Sequence, residues 1–299
     1  MKKNLTSIIL AFTFILILAA CGNNNADGNG GNSDNADRIK DLQDKGKVVV
    51  GFADEKPYAY EEDGELKGVA VDVATEIFKE LGIDEVEGHL QDFDQLIPGL
   101  NAEKFDVVTA SMAINGDRCE NVAFGEPEVQ YGEGLIVQKG NPLDLHSYED
   151  IADNPDATVS IMSGATEHGF VQEEGVDPSQ VQDAPDIAAT LAAVESGRAD
   201  ATTGTEMTIK MAFESADSDN LEWVEDFEQP NIEGVPSYGA AAFRQDDDQL
   251  REAYNEKLAE LKETDKYGEL LEANYFSLDA NGVMDDITTE MVCSGEVYQ

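Results

Sequence analysis

Short runs of β-branched and aromatic residues alternate with segments of helical periodicity along most of this chain, and that alternation restricts it to an α/β architecture. Val48-Val49-Val50-Gly51-Phe52 reads as a strand. Val71, Ala74, Ile77, Phe78 and Leu81 then recur at helical spacing as far as Gly82, a residue suited to ending a helix. Leu96, Ile97 and Leu100 mark a short helix before a second strand at Phe105-Asp106-Val107-Val108. Farther on, Ile187, Leu191 and Val194 share a helical face that stops at Gly197, and Ala199 to Thr203 gives another strand. Leu250, Tyr254, Leu258 and Leu261 line a late helix. The pattern predicts mixed, mostly parallel sheets covered by helices on both sides.

Charge narrows the partners. The 299 residues include 63 Asp and Glu against 19 Lys and Arg, a formal charge of −44. Such a surface repels phosphate backbones, so nucleic-acid binding through a basic face is disfavoured, as are anionic partners generally. Hydrophobic residues still make up 41% of the chain, which is enough for a real core. An excess of carboxylates also suits work in high salt, where screening removes self-repulsion.

The N-terminus sets the compartment. Lys2 and Lys3 precede an apolar run from Ile8 to Ala20, broken only by Thr13. The run is shorter than the roughly 20 residues of a membrane span and reads as a secretion signal. It ends in Leu18-Ala19-Ala20-Cys21-Gly22, which resembles a bacterial lipoprotein lipobox and implies removal of residues 1–20 and lipidation of Cys21. Residues 21–37, dominated by Gly, Asn and Asp, cannot bury enough surface to order themselves and read as a disordered tether. Cys119 and Cys293 remain, in an oxidising compartment. A disulfide between them requires α-carbons within about 7 Å; the alternative is two free thiols.

One stretch carries a family resemblance. Asp106-Val107-Val108-Thr109-Ala110-Ser111-Met112, then Arg118, then Phe124-Gly125-Glu126-Pro127 resemble the solute-binding proteins of polar amino-acid ABC uptake systems. More narrowly, Gly51 to Tyr60, Leu96-Ile97-Pro98-Gly99-Leu100, Asp117-Arg118-Cys119 and Leu145 to Ile151 are similar to the ectoine- and hydroxyectoine-binding branch of that family. The resemblance implies a two-lobed, type II periplasmic-binding-protein-like fold whose lobes close over a solute in the cleft. Two hinge strands would join the lobes, near Glu133 to Lys139 and Pro236 to Phe243, where small residues favour extended backbone. The expected division is 38–136 and 240–299 for the first lobe and 137–239 for the second. It further implies a monomeric, membrane-anchored receptor outside the cytoplasm, which hands a small zwitterion to an ABC permease and needs no cofactor or metal.

For such a solute the site needs a fork of donors at one end and acceptors or aromatic faces at the other. Arg118 supplies the fork, since a guanidinium meets a carboxylate in two parallel hydrogen bonds; a surface ion pair is the competing role. Glu55 and Tyr58, on the turn after the first strand, and Phe93 match positions where the ectoine-binding branch places an acid and aromatic walls. Ala113 stands where that branch offers a phenylalanine, so a third wall is missing unless Tyr60 or Tyr238 replaces it. Asn115 departs from the usual threonine, although its amide can still donate. In the second lobe Gly164, Thr166 and Glu167 belong to a turn expected to open a helix, with Glu167 either a solute contact or a helix-start charge. Gly204-Thr205 replaces the aspartate by which relatives of this family hold an α-ammonium, which argues against an ordinary α-amino acid. An enzyme on the same fold is the reading from another class. His89, His146 and His168 lack ligand spacing, however, and no nucleophile elbow, zinc motif or phosphate loop is present.

The charge excess carries its own test. The melting temperature should rise when molar salt is added to a dilute buffer, and equal values in the two conditions would remove the high-salt interpretation.

Overall fold

The computed structural model describes residues 34–299, Asp285 excepted. The signal segment, Cys21 and most of the tether lie outside the described residues. Helix Asp34–Lys45 opens inside the last four tether positions. Its anchor is apolar: Leu42 is fully buried and Ile39 packs beside it. Aspartates favour a helix start, so the first turn winds back into the acidic end of the tether.

Two mixed sheets form the body. In the first the strand order is Glu85–Leu90, Lys47–Phe52, Val107–Ala113, Ser237–Phe243, Ala123–Phe124, with Val129–Tyr131 also pairing to Ser237–Phe243. The second runs Val181–Ala184, Val159–Met162, Ala201–Thr205, Glu133–Gln138, Leu221–Trp223. Strands linked through helices pair in parallel, whereas Ser237–Phe243 and Glu133–Gln138 run antiparallel to their neighbours. Val107–Ala113 and Ser237–Phe243 are buried at every residue, as befits central strands covered on both faces.

Helix Val69–Glu80 buries Val71, Ala74, Ile77 and Phe78 as their spacing predicts, and Gly82, at φ 78°, follows its end. Against it pack Leu250, Tyr254 and Leu258 of helix Asp248–Lys262. The Tyr254 hydroxyl donates to the buried Glu128 carboxylate at 2.7 Å. Burial raises that carboxyl to about 7.

Two strands start later than their apolar runs suggest, for one shared reason. Asp106 precedes Val107–Ala113 and turns its carboxylate back to accept the Val49 N–H at 2.8 Å while pairing with Arg38. Asp200 precedes Ala201–Thr205 and accepts the Thr158 N–H at 2.9 Å and its hydroxyl at 2.8 Å. Each aspartate satisfies a neighbouring strand, so the ladder begins after it.

The chain changes sheet at Gly132, between Tyr131 and Glu133, and returns between Trp223 and Ser237. Both crossings fall earlier than the expected cuts at 136/137 and 239/240. The segments read as hinges are strands whose buried backbone groups pair within one sheet each. A side chain at Gly132 would start 2.6 Å from the Gln229 carboxamide oxygen. That amide grips the crossing instead, accepting the Glu133 N–H at 2.8 Å and donating to the Glu133 carbonyl at 2.7 Å.

Cys119 and Cys293 are joined, with α-carbons 6.0 Å apart, and the bridge closes a loop of 174 residues. It fixes helix Thr289–Cys293 beside the turn that holds Arg118. Thr289 adds a hydrogen bond to the Glu126 carboxylate at 2.9 Å and one to the Gly125 carbonyl. Replacing both cysteines by serine should lower stability by about 2–5 kcal/mol, read from the denaturation midpoint. An unmoved midpoint would mean that the hydrogen bonds alone hold the tail.

Candidate functional site

The site begins at the turn after the first strand. Glu55 and Ala59 exchange backbone hydrogen bonds across it, and its Pro57 and Tyr58 carbonyls accept the Val69 and Ala70 N–H groups at 3.0 Å. The turn therefore caps helix Val69–Glu80 and is held by it. Gly68 makes the contact possible: at φ 119°, a side chain there would start 2.3 Å from the Tyr58 carbonyl oxygen. Fixed in this way, Glu55 and Tyr58 face a cleft between the two sheets.

Arg118 sits in the short helix Gly116–Cys119, whose N-cap Asn115 accepts the Arg118 N–H at 2.9 Å. One terminal nitrogen of its guanidinium donates to the Ala113 carbonyl at 2.7 Å. The other donates to the Gly164 carbonyl of the second sheet's turn at 2.9 Å. The Phe93 ring lies 5.3 Å from the guanidinium carbon. Two N–H bonds are thus spent on positioning, and the remaining donors are free to meet a solute.

The second sheet contributes Thr203, Gly204 and Thr205 at the end of one strand and Thr166 and Glu167 at the start of helix Glu167–Glu173. Glu167 is 2% exposed although it occupies the first helical turn. A side chain on Gly204 would start 3.9 Å from its Oε1.

Eight of the expected site residues line one cleft: Glu55, Tyr58, Phe93, Ala113, Arg118, Thr166, Glu167 and Thr205. Asn115 and Gly164 do not; they hold Arg118 and border an adjoining hollow. Tyr60 and Tyr238 stay outside the cleft, one beneath Lys56 at 5.0 Å, the other beside Tyr298 at 6.2 Å. The missing wall is Tyr131. Its ring meets Tyr58 edge-on at 5.2 Å, and its hydroxyl donates to the Ser111 carbonyl at 2.8 Å. A bulky residue immediately before the small-residue crossing was the signal for it, since a side chain there has only the cleft to fill. Ser111 also lines the cleft, at φ 43°, with a buried hydroxyl that finds no partner among the described residues. That hydroxyl is a further polar group open to a ligand.

Electrostatically the cleft opposes one cation to several acids. Burial, with Glu167 adding to it and Arg118 opposing it, raises the Glu55 carboxyl to about 8. Its Oε1 is buried without a hydrogen-bond partner. Burial also lowers the pKa of Arg118. No group of three or more potential metal ligands occurs among the described residues.

Comparison with known proteins adds the following. The family described as bacterial extracellular solute-binding proteins, family 3, matches residues 48–277. A probable amino-acid ABC transporter periplasmic-binding protein, y4tE of Sinorhizobium fredii, is 35% identical over 261 residues, covering 86% of each chain. The crystal structure of EhuB in complex with hydroxyectoine is similar at 34% identity and a TM-score of 0.78, over 86% of this chain and 98% of that one. An ancestral arginine-binding protein bound to arginine reaches 27% identity and a TM-score of 0.67, over 77% of this chain and 98% of its own.

The raised Glu55 carboxyl has a measurable consequence. Its folded value of about 8 exceeds the ordinary 4.5, so between these values the folded state holds a proton that the unfolded chain releases. That contribution to stability is complete below about pH 4.5 and is lost as pH rises through about 8. Melting temperatures of the ligand-free protein should fall across this window, and Glu55→Gln should flatten the fall. Parallel curves for the two proteins would place the Glu55 carboxyl at its ordinary value.

Proposed function

The chain belongs to the bacterial extracellular solute-binding proteins, family 3, as the solute-binding part of an amino-acid-type ABC transporter, and from there we propose that its solute is ectoine or hydroxyectoine. Their shared chemistry is a carboxylate on a small ring whose positive charge is delocalised over an amidinium. The observation that carries the reading is the opposition of Arg118 to Glu55 and Glu167, with the Phe93, Tyr58 and Tyr131 rings also bordering the cleft. In this pose the free donors of Arg118 take the solute carboxylate, and the ring lies against aromatic faces. The amidinium N–H groups reach the two glutamates. Likeness to EhuB, solved with hydroxyectoine, supports the same choice.

An α-amino acid fits this arrangement less well. Its compact ammonium needs an acid near the strand end, where this chain has Gly204 and Thr205. Shutting the cleft over it would leave that charge poorly matched. Arginine is the rival with an observation behind it, because a guanidinium side chain could also bridge Glu55 and Glu167, and the arginine-binding relative shares the fold. The matched family and the relatives are substrate-binding transport proteins, not enzymes.

In this reading the receptor works outside the cytoplasm as a single copy. Lipid on Cys21 anchors it, the glycine- and asparagine-rich tether spaces it from the membrane, and it delivers its load to the permease. Among the described residues no helix is long and apolar enough to cross a membrane.

Titration calorimetry with ectoine, hydroxyectoine, arginine and glutamine decides between the solutes. Ectoine or hydroxyectoine should bind at least tenfold more tightly than either amino acid. Arg118→Lys, which keeps the charge and loses the fork, should weaken that binding by about 2 kcal/mol or more. Preference for arginine would replace the cyclic solute with a cationic amino acid, and an unaffected Arg118→Lys variant would discard the pose.

A further inference from the structure

Glu133 stands one layer behind the cleft floor and has no assigned part in binding. It opens strand Glu133–Gln138, is 1% exposed, and its carboxylate oxygens find no donor of ordinary hydrogen-bond geometry, with the Glu167 and Tyr148 side chains beside them. Its strand partner is Thr205, directly opposite in register, and residues paired in this way present their side chains on the same face. Thr205 lines the cleft, as does Thr203 two residues back. Glu167 completes the group, set over Gly204 and 2% exposed.

The side chains that act most strongly on Glu133 are acids and a tyrosine. Helix Glu167–Glu173 supplies Glu167, helix Tyr148–Asp153 supplies Tyr148, and helix Glu206–Ala216 supplies Glu206. From across the cleft Tyr58 and Tyr131 also act on it. Arg118 and Glu55 act on Glu167. None of the groups that act most strongly on Glu133 is a cation. The Tyr148 hydroxyl is already engaged with Thr203 Oγ1 at 2.6 Å, and that oxygen is in turn committed to the Gly134 carbonyl at 2.8 Å.

Two adjacent carboxylates withdrawn from water and lacking a cation between them cannot both stay ionised at tolerable cost. We propose that Glu133 is a positioning residue that carries a proton and donates it in a hydrogen bond to Glu167, thereby aiming the Glu167 carboxylate at the solute. Burial and the neighbouring Glu167 both push the Glu133 carboxyl well above its usual range, which agrees with this assignment. The pair then shows the cleft one negative charge instead of two. With the Glu55 carboxyl raised to about 8 and so protonated near neutral pH, that one charge matches the amidinium half of a zwitterion whose carboxylate Arg118 has taken, while a second would favour a solute of net positive charge. The role in selectivity rests on the proposed solute; the shared proton does not.

The test therefore has a ligand-free arm and a binding arm. In the ligand-free protein near neutral pH, the infrared band of protonated carboxyl groups should lose intensity in Glu133→Gln relative to the unaltered chain. An identical band would overturn the proposal. In calorimetry with ectoine, Glu133→Leu should weaken binding by about tenfold at pH near 7, and Glu133→Gln, which can still donate, should restore it to within about threefold. As pH is raised far enough to ionise Glu133, the unaltered protein should lose affinity, and Glu133→Gln should lose less. Superimposable pH profiles, or a Gln variant as weak as the Leu variant, would overturn the positioning role. If ectoine fails to bind the unaltered protein, the solute assignment falls, and the infrared comparison still decides whether Glu133 holds the proton.

Discussion

A guanidinium partly withdrawn from water must have its donors matched, and the cleft is arranged around that requirement at Arg118. One terminal nitrogen is tied to the Ala113 carbonyl of the first sheet and the other to the Gly164 carbonyl of the second sheet's turn. Arg118 thus bridges the two halves of the cleft. Asn115 fixes its backbone, Phe93 covers its face, and the Cys119–Cys293 bridge fastens the adjoining residue to the C-terminal helix. Loss of any one support would leave a charged group free to turn away from the cleft, at a cost larger than that of an exposed side chain.

Much of this was legible in the sequence because it rests on local rules. Apolar spacing located helix Val69–Glu80 and the face it buries, and the motif around Arg118 located the fork. What escaped was set by side chains acting at a distance. Asp106 and Asp200 delay their strands by reaching across to other strands, and no periodicity reports that. Tyr131 supplies the ring that Ala113 lacks from a different strand, where it resembles any other core tyrosine. Glu133 was hidden differently. It lies in a segment read as a hinge, and only the register opposite Thr205 places it on the face that carries the cleft-lining Thr203 and Thr205.

The two crossings show how the cleft can be both precise and mobile. Gln229 takes both backbone groups of Glu133, so the first crossing is hydrogen-bonded to the connection that leads into the second. The pair joins two bodies with separate cores, one built on Val69–Glu80 and its partners, the other on Tyr148, Ile151 and Phe170. Because each core is close-packed, a movement at the crossing is carried to the cleft walls undamped. Glu133 belongs at once to the crossing and to the acid pair, and so couples the hinge to the chemistry of the floor.

The acidity of the chain has a bearing on what the cleft can capture. A formal charge of −44 repels free anions at a distance, yet the site presents a guanidinium built to hold a carboxylate. These facts conflict only if the solute is an anion. A zwitterion has no net charge for the long-range field to act on, and screening confines the field to about 10 Å at 0.1 M salt and less at higher salt. Within that distance a separated pair of charges orients in the local field, its positive half toward the glutamates and its negative half toward Arg118. For the proposed zwitterion, an acidic surface therefore disfavours simple carboxylates at low salt while leaving the cleft open to inner salts, a discrimination that the cleft's own contacts do not have to supply.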